Sequence, residues 1–157
     1  MNPIRIIIAA LLLISAPALA KPSPEQQIID HGKRWSALYE AGKIDEMRGL
    51  YEPDAWLMTE GAPALKGVEA ILAYLRRNKQ SGNQVQFSVA PELITIDGNR
   101  AFLISKYWMV IDTPAKSRIE AAGRSMLVYK RGKDGAWRIW RDMDNKAADV
   151  SFADPPR

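Results

Sequence analysis

The chain has 157 residues, of which 47% are hydrophobic and 25% are charged, and its formal net charge is +4. This length predicts one domain that can bury a sizeable core without a covalent staple. The sequence has no Cys, which excludes disulfides, thiol nucleophiles and zinc-thiolate sites. Its basic residues are interleaved with acids along the chain, so we expect no nucleic-acid partner despite the positive charge.

The first 20 residues have the pattern of an export signal. Arg5 precedes an apolar run from Ile6 to Ile14, and Ala18-Leu19-Ala20 is the small-residue pattern that signal peptidase cleaves. A membrane anchor is the alternative, but the apolar run is shorter than the ~20 residues that a span requires. We therefore predict residues 1–20 as a signal peptide. The mature chain would begin at Lys21, be periplasmic or secreted, and have no membrane span.

Three helices are predicted in the N-terminal half. Ser23 as N-cap and Pro24 in the first turn begin an amphipathic helix of about 18 residues, which Gly42 ends. A second, short helix is predicted at residues 45–51, with its first residue as the cap. A third helix follows Gly67 and has one apolar face.

The other predicted elements are strands. A short strand at residues 55–59 lies between the second and third helices. After the third helix, Val85 begins an alternating run in which Pro91 predicts a bend or a bulge, and Asp97-Gly98 predicts a hairpin turn. Residues 101–111 are apolar on both faces, which is typical of a sheet that is covered on both sides.

The best-defined element is a hairpin at residues 123–145. Two alternating runs flank a turn rich in Gly, Lys and Asp. If the loop is residues 131–135, Arg124 lies opposite Asp142, and if it is residues 132–135, Ser125 does. The sequence leaves both registers open. The order of helices and strands predicts an α+β fold with one sheet and the helices on one of its faces.

Three groups of residues carry a resemblance to a known superfamily. They are Ala41-Gly42 followed by Asp45, then Gly67 before the third helix, and Trp137-x-Ile139-x-x-Asp142. Through them, residues 28–145 resemble the nuclear transport factor 2-like superfamily, in particular its SnoaL-like and ketosteroid-isomerase-like members. The resemblance implies a cone-shaped curved antiparallel sheet with three N-terminal helices packed on its concave face. It also implies a central pocket for a small molecule and a homodimer across the sheet's outer face.

This resemblance assigns the domain to residues 21–145 and leaves residues 146–157 as a loose C-terminal tail. It also limits the chemistry. The base, hydroxyl donor and protonated acid of steroid isomerases correspond here to Thr59, Trp35 and Leu127, and none of these can perform its role. The chain is therefore not expected to be a steroid isomerase of the known type, unless Glu60 replaces the base through a one-residue shift.

Histidine and metal chemistry are limited as well. His31 is the only His, so the histidine pairs of dehydratase-like relatives are excluded. With one His, no Cys and scattered carboxylates, the sequence has no metal-ligand spacing, and no metal or cofactor is predicted. His31 itself is either a packed imidazole or a proton shuttle.

Asp142 is the main candidate site residue. The resemblance points Trp140 and Asp142 into the pocket and leaves Ile139 and Met143 for a dimer face, whereas alternation alone would bury Trp137 and Ile139. A buried carboxylate needs a cation, water or a proton. Asp142 is therefore either part of a structural ion pair or cap, or a general base with a raised pKa.

Aromatic side chains could form the wall of a pocket for a flat apolar ligand, although such residues are core by default. The predicted ligand-pocket residues are Trp35, Tyr39, Trp56, Met58, Trp108, Arg124, Trp140 and Asp142. Three functions stay open at this stage. The chain is an exported domain that binds a small, partly apolar molecule, an isomerase, dehydratase or hydrolase that uses Asp142 (with Tyr39 or His31), or a protein-interaction module.

Overall fold

The computed structural model describes residues 21–153. The predicted signal peptide and residues 154–157 of the predicted tail lie outside the described residues. Neither α-helix in the described range has the length and apolar character needed to cross a membrane. The elements are α1 (Pro24–Glu40), a 3₁₀ helix (Ile44–Leu50), β1 (Tyr51–Met58), β2 (Leu65–Lys66), α2 (Val68–Gln80), β3 (Gln84–Asp97), β4 (Arg100–Asp112), β5 (Arg118–Arg131) and β6 (Trp137–Lys146).

The helix ends follow the sequence signals. The hydroxyl of Ser23 accepts a hydrogen bond from the Gln26 amide at 3.2 Å, which caps the first turn of α1. Gly42, just past the end of α1, has a φ of +71°, a left-handed conformation that glycine adopts without strain. Asp45, however, caps no backbone amide of the 3₁₀ helix, and its carboxylate instead pairs with Arg76 of α2 at 2.5 Å.

The strands form one six-stranded sheet in the order β2-β1-β6-β5-β4-β3. All neighbours are antiparallel except β1 and β6, which run parallel, so the predicted α+β class is confirmed but the sheet is mixed. β1 begins at Tyr51, earlier than predicted, because Tyr51 already pairs with Ile139 of β6. Pro53 lies in the register shift between Tyr51 and Trp56, where no ladder partner needs its missing amide hydrogen.

Two β-bulges interrupt the antiparallel ladders. The first lies between Pro91 and Leu93 of β3, as the proline predicts. The second lies in β6, where Tyr129 pairs with Ile139 but its neighbour Val128 pairs with Arg141, so that Trp140 is the extra residue. Because one extra residue reverses the alternation of side chains, the inner and outer faces of β6 exchange at this point.

The helices cover the inner, concave face of the sheet and form one core with it. The core includes side chains from α1, the 3₁₀ helix, α2 and four strands, among them Ile28, Met47, Ile71, Leu72, Tyr129 and Ile139, each at most 2% exposed. The helices pack directly against the inner face of β1 and β6. A cavity separates α1 from the inner faces of β3, β4 and β5.

The segment after β6 lies against the outer face. The indole nitrogen of Trp108 donates a hydrogen bond to the Ser151 carbonyl at 2.8 Å, and Val150 is buried. Arg124 pairs with Asp149 at 2.7 Å. Residues 147–153, part of the segment predicted as a loose tail, are therefore held to the sheet by these contacts.

Candidate functional site

A cavity of about 480 Å³ lies between α1 and the inner faces of β3, β4 and β5. This volume is in the range of small-molecule pockets. Its wall is mostly apolar and aromatic on the sheet side, where Phe87, Leu103, Leu127 and Tyr129 contribute. The cavity therefore suits a molecule with a largely apolar body.

Helix α1 contributes Trp35 to the cavity wall. The indole nitrogen of Trp35 donates a hydrogen bond to the Tyr51 hydroxyl at 2.6 Å, and its ring stacks on Tyr39 with 5.3 Å between ring centroids. Two of the predicted pocket residues are thus brought together, with Trp35 in the wall and Tyr39 buried behind it.

His31 also lies in the wall, but its ring is fixed. The Nε2 atom lies 3.1 Å from the Leu50 carbonyl, which can only accept, so Nε2 carries the hydrogen. The ring meets Tyr129 edge-on at 5.1 Å. Burial lowers the pKa of His31 to about 4, so the imidazole is neutral near pH 7. This geometry favours the packed imidazole over the proton shuttle.

Asp142 lies on the inner face, in register with Leu57 of β1 and Leu127 of β5. Leu127 lines the cavity, so the Asp142 carboxyl is next to the cavity, although it is not part of its wall. Burial, and then the negative charge of Asp144, raises the pKa of Asp142 to about 7. Within residues 21–153, no cation pairs with this carboxyl, so the structural ion pair considered from the sequence is not formed.

Two further carboxyl groups, those of Asp144 and Glu60, lie near Asp142 where β1 and β6 end. Asp144 is opposite Ser125, and its Oδ1 accepts a hydrogen bond from the Glu60 amide at 3.3 Å. Burial raises the pKa of Asp144, and the charge of Glu60 adds to this effect. Glu60 in turn accepts a hydrogen bond from the Lys146 amide at 2.6 Å, so its carboxylate joins the end of β1 to β6. We call Asp142, Asp144 and Glu60 the acidic border.

Two buried tyrosines are close to Asp142. Tyr51 and Tyr129 are 3% and 1% exposed, and both lie on the inner face. Burial, followed by the negative charge of Asp142, raises the pKa of both phenols well above the usual range. Both hydroxyls therefore stay protonated and can donate hydrogen bonds near a carboxyl group that titrates around neutral pH.

The other predicted pocket residues do not reach the cavity. They lie on the outer face of the sheet, and the prediction was wrong for Trp56, Met58, Trp108, Arg124 and Trp140. Trp140 is turned outward by the β6 bulge and donates a hydrogen bond to Asp54 at 3.0 Å. Lys130 and Arg141 lie over its ring at 3.7 and 4.0 Å.

The predicted registers of the last hairpin were also wrong. The loop is residues 132–136, because Arg131 pairs with Trp137, and the bulge adds one more residue of shift. Leu127 consequently lies opposite Asp142, where Arg124 or Ser125 was expected. Arg124 instead points outward and binds Glu92 at 2.7 Å. The bulge also explains why Ile139 faces inward while Met143 faces outward.

Several cavity residues were missed from the sequence. Leu103 and Ser105 of β4, and Ser125 and Tyr129 of β5, lie at alternate positions on the inner face. The alternation of β4 could have identified the inner face, because Leu103 and Tyr107 fall on the face opposite Trp108. The prediction instead placed Trp108 in the pocket because it is aromatic, and so chose the outer face.

The cavity offers apolar surface, and Asp142, the cross-strand neighbour of the cavity residue Leu127, has a carboxyl group whose raised pKa of about 7 suits proton exchange near neutral pH. Within the part of the chain that the structure describes, no group of three His, Cys, Asp or Glu side chains could hold a metal ion.

Comparisons with known proteins agree with this fold. Residues 23–142 match the family model of the SnoaL-like domain. A comparison with curated proteins gives no match. Among solved structures, a conserved protein from Planctomyces limnophilus is similar at 21% identity, covering 78% of this chain and 97% of that chain, with a TM-score of 0.72.

Two further structures carry family names. An NTF2-like protein with a cystatin-like fold from Novosphingobium aromaticivorans has 18% identity, covers 82% of this chain and 84% of its own, and gives a TM-score of 0.68. A ketosteroid isomerase-like protein from Erwinia carotovora atroseptica has 17% identity, covers 79% and 93%, and gives a TM-score of 0.65. At such identities the similarity shows the fold and no particular reaction.

Proposed function

Because the chain belongs to the SnoaL-like domain family, we propose that it binds a small, partly apolar molecule in its inner cavity. The observation that carries this proposal is the cavity of about 480 Å³ with an apolar wall and the acidic border beside it. The wall would remove the ligand's apolar surface from water, and the polar groups would fix its orientation.

A cavity-filling variant tests this proposal. N-phenyl-1-naphthylamine, a neutral apolar dye, should become fluorescent on binding to the mature protein. Leu127→Trp places a larger side chain in the cavity wall and should abolish this signal, whereas Met126→Trp, on the adjacent outward-facing residue, should leave it intact. Circular dichroism checks that both variants are folded. Equal dye binding by wild type and Leu127→Trp would contradict the proposal.

Proton transfer by Asp142 is the second candidate function. It is favoured by one observation, the carboxyl of Asp142 close enough to the buried phenols of Tyr51 and Tyr129 for its charge to raise the pKa of both. Such a group could remove a proton next to a carbonyl in an isomerisation or a dehydration. The chain should then accelerate deuterium exchange at the α-carbon of a bound cyclic ketone. Asp142→Asn should abolish this exchange and Asp97→Asn, on a distant hairpin, should not.

We also propose that the chain is exported and that its mature form begins at Lys21. The pattern of residues 1–20 supports this proposal. Expression of the full chain in a bacterial host, followed by N-terminal sequencing of the periplasmic fraction, should give Lys-Pro-Ser as the first residues. Retention of Met1 on the protein would contradict export by cleavage.

A homodimer across the outer face is the last part of the proposal. One row of side chains crosses five strands in register on this face, and it consists of Leu93, Ile104, Met126, Met143 and Met58. Leu93, Met126 and Met143 are 53%, 39% and 49% exposed, which is an apolar surface suited to a partner. Sedimentation should give a dimer for wild type and a monomer for Met126→Glu. A wild-type monomer would contradict this part.

A further inference from the structure

A polar row crosses the inner face at one end of the cavity. Ser105 of β4 is opposite Ser125 of β5, and Ser125 is opposite Asp144 of β6. Both serines line the cavity. Ser105 is 0% exposed, and within the described residues its hydroxyl has no hydrogen-bond partner. Leaving a buried hydroxyl without a hydrogen-bond partner costs free energy. A polar group bound at this row would recover that cost by forming a hydrogen bond with Ser105.

The charge beside this row is negative. Asp144 belongs to the acidic border with Asp142 and Glu60, and none of these three carboxylates takes part in an ion pair within residues 21–153. On the helix side of the cavity, α1 contributes Lys33 and Glu40, whose charges oppose each other. The carboxyl groups repel one another, and a cation placed among them would relieve that repulsion.

The opposite end of the cavity is apolar. Along the same two strands, Leu103 and Leu127 form the next inner row, and Tyr129 follows. Ser125 and Tyr129 are four residues apart in one strand, which corresponds to roughly 13 Å. A ligand that fills this space has a polar head at the serines and an apolar body of about that length.

We propose that the ligand is an amphipathic amine, whose protonated amino group binds at Ser105, Ser125 and Asp144. An ammonium group has three donors, and the row offers two hydroxyl oxygens and a carboxylate as acceptors. This inference rests on the proposed binding function and adds the chemical class of the ligand. A carboxylic acid with the same body would meet the acidic border and bind weakly.

Competition with the bound dye tests the amine. Three compounds share one apolar body: 4-phenylbutylamine, 4-phenylbutan-1-ol and 4-phenylbutanoate. At pH 7.5 the amine should displace N-phenyl-1-naphthylamine at about 10-fold lower concentration than the alcohol, with the acid weakest. If the alcohol or the acid competes as well as the amine while the dye still binds, the amine is excluded and the cavity proposal stands. If the dye itself does not bind, the cavity proposal fails first.

Two variants test whether Asp144 and Ser105 bind the amino group. Asp144→Asn should weaken the amine about 10-fold and leave the alcohol unchanged. Ser105→Ala should weaken both the amine and the alcohol, since each donates a hydrogen bond to this hydroxyl in our proposal. Asp97→Asn removes the same charge from an exposed hairpin and is the matched control. An equal loss of amine affinity in Asp97→Asn and Asp144→Asn would overturn the assignment, because it would reflect net charge alone.

Discussion

The two faces of the sheet differ in whether their partly buried charged side chains have partners of opposite charge. On the outer face, each buried or half-buried charge has a partner: Arg124 is held between Glu92 and Asp149, and Lys130 lies over Trp140. On the inner face, Asp142 lies between Leu57 and Leu127 and Asp144 lies opposite Ser125, and neither pairs with a cation in the described part of the chain. The charges of the outer face are therefore neutralised within the described chain, whereas the carboxyl groups of the inner face are not.

A single extra residue in β6, Trp140, changes which side chains of that strand face inward and which face outward. The bulge at Trp140 lets Ile139 and Asp142 share the inner face, although they are an odd number of residues apart. Without the bulge, Asp142 would join Trp140 and Lys130 on the cation-rich outer face, where it would be paired. The bulge thus places an unpaired carboxyl beside the cavity while the preceding strand residues fill the core.

The largest difference in the free energy of unfolding is expected between alanine substitutions of two apolar residues of β6. Ile139 is 2% exposed and Met143 is 49% exposed. Ile139→Ala should lower the free energy of unfolding by about 3 kcal/mol, because it removes buried methyl groups from a packed core. Met143→Ala should change it by less than about 0.5 kcal/mol in the monomer. Urea denaturation measures both, and equal losses would contradict the exchange of faces at the bulge.

The next effect concerns Asp142 and pH. Its pKa is raised in the folded state to about 7, so the folded chain binds this proton more tightly than the unfolded chain. This contribution to stability is complete below the unfolded pKa, near 4, and is lost as the pH rises through 7. The full shift corresponds to at most about 4 kcal/mol, and partial exposure of the side chain reduces this to about 2 kcal/mol.

Asp142→Asn isolates that contribution because the amide does not titrate. The difference in unfolding free energy between the variant and wild type should shift by about 2 kcal/mol in favour of the variant from pH 5 to pH 8. Chemical denaturation at several pH values measures it. A difference that is constant with pH would mean that Asp142 is paired or solvated in the folded state.

The smallest effect is expected on the outer face. Arg124 lies between Glu92 and Asp149 at 2.7 Å from each, which raises its pKa. Arg124→Gln should lower the free energy of unfolding slightly at low salt, and by less in 1 M NaCl, because these contacts are near the surface and are screened. A large loss of stability that does not depend on salt would show that this ion pair behaves like a core contact.

Local signals predicted most of the fold. The Ser23 cap, the glycine after α1 and the bulge after Pro91 each depend on a few neighbouring residues, so the sequence contains them directly. The parallel pairing of β1 with β6 depends on residues about 85 positions apart. No local signal encodes such a pairing, and the superfamily resemblance alone implied the cone.

The site was predicted less well for a physical reason. Reading faces from alternation assumes that a strand has no bulge, and the bulge at Trp140 breaks that assumption in the strand that carries Asp142. The position of Asp142 on the inner face was predicted, whereas those of Trp140 and Ile139 were not. Trp56 and Trp140 were assigned to the pocket because they are aromatic, whereas their rings lie on the outer face beside Lys66, Lys130 and Arg141.

Asp142 is expected to hold its proton near neutral pH on the inner face of the sheet, where no cation of the described chain pairs with it. Carbon-13 NMR of the Asp side-chain carboxyl groups, titrated from pH 3 to pH 9 and assigned with Asp142→Asn, measures it most directly. We predict that the Asp142 resonance titrates with a pKa of about 7. A midpoint near 4, the value of an ordinary solvated aspartate, would show that neither burial nor Asp144 raises the pKa of this carboxyl.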